Sequence, residues 1–126
     1  MEIDTEAVKI LRTVSDREAF YFYEAIGKPT GESAKSLLDF LQKTESVKLD
    51  SLRFHLKRKD FQNWIKNTLG DSTLARRMAR IPHSNRGDLK TRIQATIENR
   101  VKQLQELSPT LSINEDLTVT SPSATS

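Results

Sequence analysis

The chain has no cysteine and only two histidines, His55 and His83, among its 126 residues. The first absence excludes disulfides, thiolate zinc sites, iron–sulfur clusters and thiol catalysis, and two imidazoles are too few for a histidine-rich metal centre. No metal and no other cofactor is therefore expected. No apolar run approaches the ~20 residues that a membrane span requires. Met1 to Thr5 carries two acidic residues and no apolar stretch of the kind that opens a secretory signal. These absences set the expectation of a cytoplasmic protein with no membrane partner. What is present suits one globular core: 36% of residues are hydrophobic and 29% charged. A chain of this length buries roughly two-thirds of its unfolded surface, enough for one stable domain.

Charge is distributed unevenly along the chain. Residues 1–52 hold seven Lys or Arg against ten Asp or Glu, residues 53–102 hold thirteen against four, and residues 103–126 hold three acids and no base. The net +3 thus conceals a strongly basic second half. That half either meets an external polyanion or is met by the acidic first half.

Punctuation and periodicity predict an all-α fold, a compact bundle of about six short-to-medium helices over residues 1–107. Asp4 caps a first helix over residues 4–13, with Ile3, Ala7, Ile10, Leu11 and Val14 on one side. Ser15 and Glu18 form a capping box, and Ala19, Phe22, Tyr23 and Ile26 continue as a helical stripe that ends at Gly27 and Pro29. The β propensity of Phe20-Tyr21-Phe22-Tyr23 argues for a strand instead, but caps at both ends favour the helix. Thr30 caps a third helix to about Thr44, with Ala34, Leu37, Leu38 and Leu41 inward and Phe40 off the stripe. Leu49, Leu52 and Leu56 share a face of the next segment. Asp60 caps a helix with Phe61, Trp64, Ile65 and Leu69 inward that ends at Gly70. Asp71 starts another, Leu74, Ala75, Met78 and Ile81 inward, which stops at Pro82. The last, from about Asp88 to Leu107, repeats Leu89, Ile93, Ile97, Val101 and Leu104. Residues 108–126, nine of which are Ser or Thr and two Pro, form a tail expected to be disordered and dispensable for folding.

The segments Phe20-Tyr21-Phe22-Tyr23 with Ile26-Gly27, Ser36-Leu37 with Phe40, and Ser51-Leu52-Arg53-Phe54-His55 through Arg58-Lys59-Asp60-Phe61, Trp64-Ile65 and Leu69-Gly70-Asp71 to Leu74-Ala75 resemble a small, uncharacterised prokaryotic family. That family is frequent in archaea and known only as a domain of unknown function. The likeness covers roughly residues 16–81 and is most specific between Phe54 and Trp64. It implies a prokaryotic, mainly archaeal, cytoplasmic protein and carries over no catalytic residue. One departure is Lys59, where a glycine is expected.

Within that block, His55, Arg58 and Asp60 are the candidate motif residues. A histidine acting as general base needs a carboxylate or hydroxyl partner, so His55 reads first as a structural hydrogen-bonder. Arg58 with Asp60 reads as a local ion pair beside a helix start, Phe61 and Trp64 read as core, and Tyr21 is the candidate exposed aromatic. Gly27-Lys28-Pro29-Thr30-Gly31 lacks the earlier glycine of a phosphate loop, and Pro29 removes a donor the phosphate needs. Arg86-Gly87-Asp88 is a chance tripeptide. The unit around Gly70 resembles a generic helical hairpin more than a DNA-reading one, because Lys66 and Arg76 stand where small and apolar residues belong.

The candidate interaction face is basic: Arg76, Arg77 and Arg80, extended by Lys90 and Arg92. No spacing assembles a nucleophile, base and oxyanion donor, so an enzyme is not expected. The favoured reading is a small helical protein-interaction or regulatory module with an unidentified protein partner. Its alternative is a nucleic-acid-associated protein using residues 53–102 for phosphate contacts. Exposed, unpaired arginines on that face speak for the alternative. Arginines held by Asp39, Glu45 or Glu24 speak for the module.

Overall fold

A computed structural model of the chain describes residues 5–82 and 88–107. The elements in order are α1 (Thr5–Leu11), a single 3-10 turn (Asp16–Glu18), β1 (Phe20–Ala25), β2 (Lys28–Ala34), α2 (Leu37–Ser46), α3 (Leu49–Arg58), α4 (Asp60–Asn63) running into a π-helical turn (Trp64–Leu69), α5 (Ser72–Ala79) and α6 (Leu89–Leu107). Among the described residues the fold is therefore mixed, six α-helices with a two-stranded antiparallel sheet, and the all-α expectation is corrected by this hairpin. The tail, the Asp4 cap, Ile3, His83 and most of the Arg86-Gly87-Asp88 tripeptide lie outside the described residues. Among the described residues no helix is long and apolar enough to cross a membrane.

The second helix fails because the aromatic run alternates. Phe20 and Phe22 are buried while Tyr21 and Tyr23 face solvent, the two-residue period of a half-buried strand. The Ser15–Glu18 pair caps nothing longer than the 3-10 turn, and its two side chains only touch each other at 3.4 Å. Gly27, at φ 75°, closes the hairpin rather than a helix. Ile26, expected inward, is 80% exposed in that turn.

Thr30 caps no helix either, because it lies in β2. The pairing Tyr21↔Ser33 slips to Tyr23↔Pro29, so β2 carries extra residues at a bulge. The Thr30 hydroxyl spans the irregularity by donating to Phe22 O at 3.0 Å and accepting from Glu32 N at 3.0 Å. Ser36 is the actual cap of α2: its hydroxyl accepts from Asp39 N at 3.0 Å while Asp39 Oδ2 accepts from Lys35 N at 3.1 Å, a reciprocal capping pair. Starting there puts Leu37, Phe40 and Thr44 inward. Phe40 is therefore fully buried, and Leu38 is 47% exposed, the reverse of the expected phase.

Hairpin and helices meet in an aromatic centre. Phe20 stands edge-on to Phe22 at 5.0 Å and to Phe40 at 5.7 Å and lies 5.1 Å from Phe61, and Phe22 stacks on Phe40 at 5.6 Å. Trp64 closes the centre and its Nε1–H donates to Glu18 O at 2.7 Å, fixing the 3-10 turn against the π-helical turn. The inward stripe of α6, Leu89, Ile93, Ile97, Val101 and Leu104, is buried throughout, as its spacing predicts. The other expected core residues Leu52, Ile65, Leu74 and Met78 join it, with Leu41 only partly covered.

α5 opens on Asp71, whose Oδ1 accepts from Leu74 N at 3.1 Å. The same buried carboxylate takes Arg100 of α6 side-on, Nε to Oδ2 at 2.8 Å and Nη2 to Oδ1 at 3.1 Å. Arg100 thus serves as a structural tie and not as part of an exposed basic surface.

Candidate functional site

The hairpin lies along α3, and His55 joins the two. Ser51 donates to Tyr23 O at 2.7 Å, and one helical turn later His55 Nε2 accepts from Tyr23 N at 2.8 Å. Both outward main-chain groups of Tyr23 are thereby satisfied by α3 side chains. Because Nε2 accepts, the ring proton sits on Nδ1, which donates to Asp60 Oδ2 at 2.8 Å. Burial is the main cause that holds the His55 pKa below its ordinary value, partly offset by the hydrogen bond and charge of Asp60, while Arg58 lowers it further. His55 is consequently a bridge between the hairpin and Asp60, with both ring nitrogens engaged in hydrogen bonds.

Asp60 gathers the three motif residues. Arg58 Nε donates to the same Oδ2 at 3.1 Å, and its guanidinium lies 5.1 Å from the centre of the Phe54 ring. The chain can turn this tightly from α3 into α4 because Lys59 adopts φ 68°, the left-handed conformation that favours glycine.

Above this network runs a groove of about 450 Å³ between the hairpin and α3, walled by Phe20, Tyr21, Tyr23, Ile26 and Phe54, with His55, Arg58, Asp60 and Asn63 along its polar side. Tyr21 is 49% and Tyr23 37% exposed. Tyr21 is held upright by its hydroxyl, which donates to Asp16 O. Of these walls, sequence reasoning found only Tyr21 as an exposed aromatic. The helical stripe predicted from the sequence contains Tyr23 and Ile26, and Phe54 occurs there only within the Ser51–His55 segment. The signal that finds them is the alternation Phe20 in, Tyr21 out, Phe22 in, Tyr23 out.

The basic face is divided. Arg76 and Arg80 are exposed, and among the described residues neither has a hydrogen-bond or ion-pair partner. Arg76 and Lys66 flank a shallow depression of about 310 Å³ floored by Ala75 and Ala79. The other three candidates are engaged: Arg77 donates to Gln103 Oε1 at 2.8 Å, Lys90 to Glu45 O at 3.0 Å, and Arg92 to Asp88 Oδ2 at 2.9 Å. The acids expected to hold the arginines have other partners. Asp39 pairs with Lys43, Glu24 with Lys48, and the Glu45 carboxylate accepts from Gln94. Among the described residues each ion pair joins groups of the same half of the chain, some local as Asp39 with Lys43 and Asp88 with Arg92, others between elements as Asp16 with Lys35, Glu24 with Lys48 and Asp71 with Arg100. Among the described residues no group of three or more His, Asp or Glu is arranged to hold a metal.

No family model, curated protein or solved structure matches the chain.

Proposed function

We propose that the protein is a small interaction module that takes an apolar side chain of a protein partner into the groove between the hairpin and α3. The observation that carries this reading is the convergence of Tyr21, Tyr23, Ile26 and Phe54 on one groove. Scattered apolar side chains are ordinary on a protein surface, whereas a contiguous concave set with a polar margin marks a contact site. The polar side of the groove supports binding over chemistry, since His55 has committed both nitrogens to holding the walls. A cytoplasmic setting belongs to the same proposal.

The test is selection of displayed random peptides on the full chain. Expected are peptides sharing an apolar anchor that lose binding at least tenfold in Ile26→Asp and keep it in Arg76→Glu/Arg80→Glu. Failure to enrich any groove-dependent peptide overturns the reading.

The second reading, phosphate contact with nucleic acid, is favoured on the basic face by Arg76 and Arg80, which stand exposed and without partners among the described residues. It ranks second because the remaining members of that face already have partners within the fold.

A further inference from the structure

The margin of the groove has a definite chemical bias. Arg58 uses Nε on Asp60 and its apolar plane on Phe54, leaving both η nitrogens without a partner among the described residues. Its neighbours in sequence, Lys57 and Lys59, are exposed and likewise without a side-chain partner among the described residues, although neither lines the groove. The one carboxylate lining the groove, Asp60, already has Oδ2 shared between His55 and Arg58. The groove therefore suits an apolar anchor next to a carboxylate, which the fork of Arg58 receives in two parallel hydrogen bonds.

The chain itself contains such a segment. Residues 111–119 read Leu-Ser-Ile-Asn-Glu-Asp-Leu-Thr-Val, with Glu115 and Asp116 between the apolar pairs Leu111/Ile113 and Leu117/Val119, and residues 103–126 contain no base. The segment follows the end of α6 at Leu107. Ten residues from Leu107 to Leu117 extend to about 33–36 Å, comparable with the width of a domain whose radius of gyration is about 13 Å.

We propose that residues 113–117 occupy the groove in cis, Ile113 or Leu117 against Tyr23 and Phe54 and the Glu115/Asp116 carboxylates on Arg58, so that the tail competes with an outside partner. This rests on the groove being a docking site. Effective concentration favours the tethered segment although each contact is weak, and one exposed ion pair with a single anchor adds little to folding stability. Dispensability of the tail for folding is thus compatible with its acting on the groove.

The absence of cysteine makes the test clean. Ser121→Cys in the full chain gives a single site for a nitroxide, whose paramagnetic broadening is read on the backbone amides. Expected is selective loss of intensity at Tyr21, Tyr23, Ile26 and Phe54, recovered when Glu115→Lys/Asp116→Lys is added and also when Ile113→Ser/Leu117→Ser is added. Uniform broadening, or broadening centred on α5 and α6, overturns the proposal. Broadening that disappears when labelled chain is diluted with unlabelled chain also overturns it, because the occupant is then a second copy. The outcome is separable from the groove reading: peptides selected on the groove bind whether or not the tail does, and bind more tightly to the Glu115→Lys/Asp116→Lys chain if the tail competes.

Discussion

Tyr23 and His55, thirty-two positions apart, share one hydrogen bond of 2.8 Å from backbone N–H to Nε2, and this bond fixes the tautomer of the neutral imidazole. A proton on Nε2 would point at the Tyr23 N–H and remove its acceptor. The groups facing the ring are Asp60, which stabilises an imidazolium, and Arg58, which opposes it, with burial the larger effect and in the same direction as Arg58.

The folded pKa of His55 thus lies below the ordinary 6.5. A depressed histidine pKa means that the unfolded chain binds the proton more readily, so stability rises with pH across that interval. Its full contribution is present above pH 6.5 and declines as pH falls through 6.5 toward the folded value. Denaturant midpoints measured from pH 7.5 to 5.5 should fall in the wild type, and His55→Gln should remove part of that slope while lowering stability at pH 7.5. An identical slope in His55→Gln would show that burial does not hold the His55 pKa below its ordinary value in solution.

Asp71 and Arg100 form the most buried ion pair described, with Arg100 14% and Asp71 1% exposed at the side chain. Removing one partner of such a pair leaves the other charged and dry, at a cost of about 3–5 kcal/mol. Asp71→Ala also loses the cap of α5 and should fall at the upper end. Asp71→Ser combined with Arg100→Met keeps a capping oxygen and removes both charges. Its loss should be well below the sum of the two single losses, and a double-mutant cycle by urea denaturation measures the difference. Strict additivity would mean that the two groups do not interact.

Lys59 occupies a left-handed conformation at φ 68° between α3 and α4. A residue with a Cβ is disfavoured there by about 1–2 kcal/mol relative to glycine, part of which is returned by the larger unfolded-state entropy of glycine. Lys59→Gly should therefore stabilise the protein by several tenths of a kcal/mol, an increase of a few degrees in Tm for about 100 residues. Lys59→Val should lower Tm.

The helices were legible where burial follows one period without competition. α6 shows its five inward residues at helical spacing and keeps them, and Gly70 and Asp71 delimit the π-helical turn and α5 as their chemistry requires. The hairpin was not, because each local cue there serves two structures. A left-handed glycine closes a helix or a two-residue turn, a proline follows a helix or sits on an edge strand, and four consecutive aromatics supply an inward residue at either period. The fact that separates them is tertiary: Phe20 and Phe22 both find Phe40 and Phe61. The same holds for the site. Arg58 and Asp60 meet because they are two residues apart, whereas the opposite wall of the groove comes from residues 20–27, which approach α3 only once the strands have formed.

Arg76 and Arg80 decide between the two functional readings. Both side chains are exposed and lack partners among the described residues, so reversing their charge breaks no internal pair, and Arg76→Glu/Arg80→Glu should change stability by no more than about 0.5 kcal/mol. That differs from the sequence-based expectation, in which Asp39, Glu45 or Glu24 held this face and the reversal altered folding. Binding is then the informative measurement. A phosphate-binding face loses affinity linearly in log salt, with a slope set by the number of phosphates neutralised, and two reversed arginines must flatten that slope. On the module reading, fluorescently labelled RNA and duplex DNA show no salt-dependent binding by the wild type near physiological ionic strength, and the variant is indistinguishable from it. Peptide binding at the groove is retained by the same variant, since Tyr21, Tyr23 and Phe54 lie on the hairpin and α3 and not on α5. Wild-type binding to RNA at physiological salt that collapses in Arg76→Glu/Arg80→Glu would move the functional surface from the groove to α5.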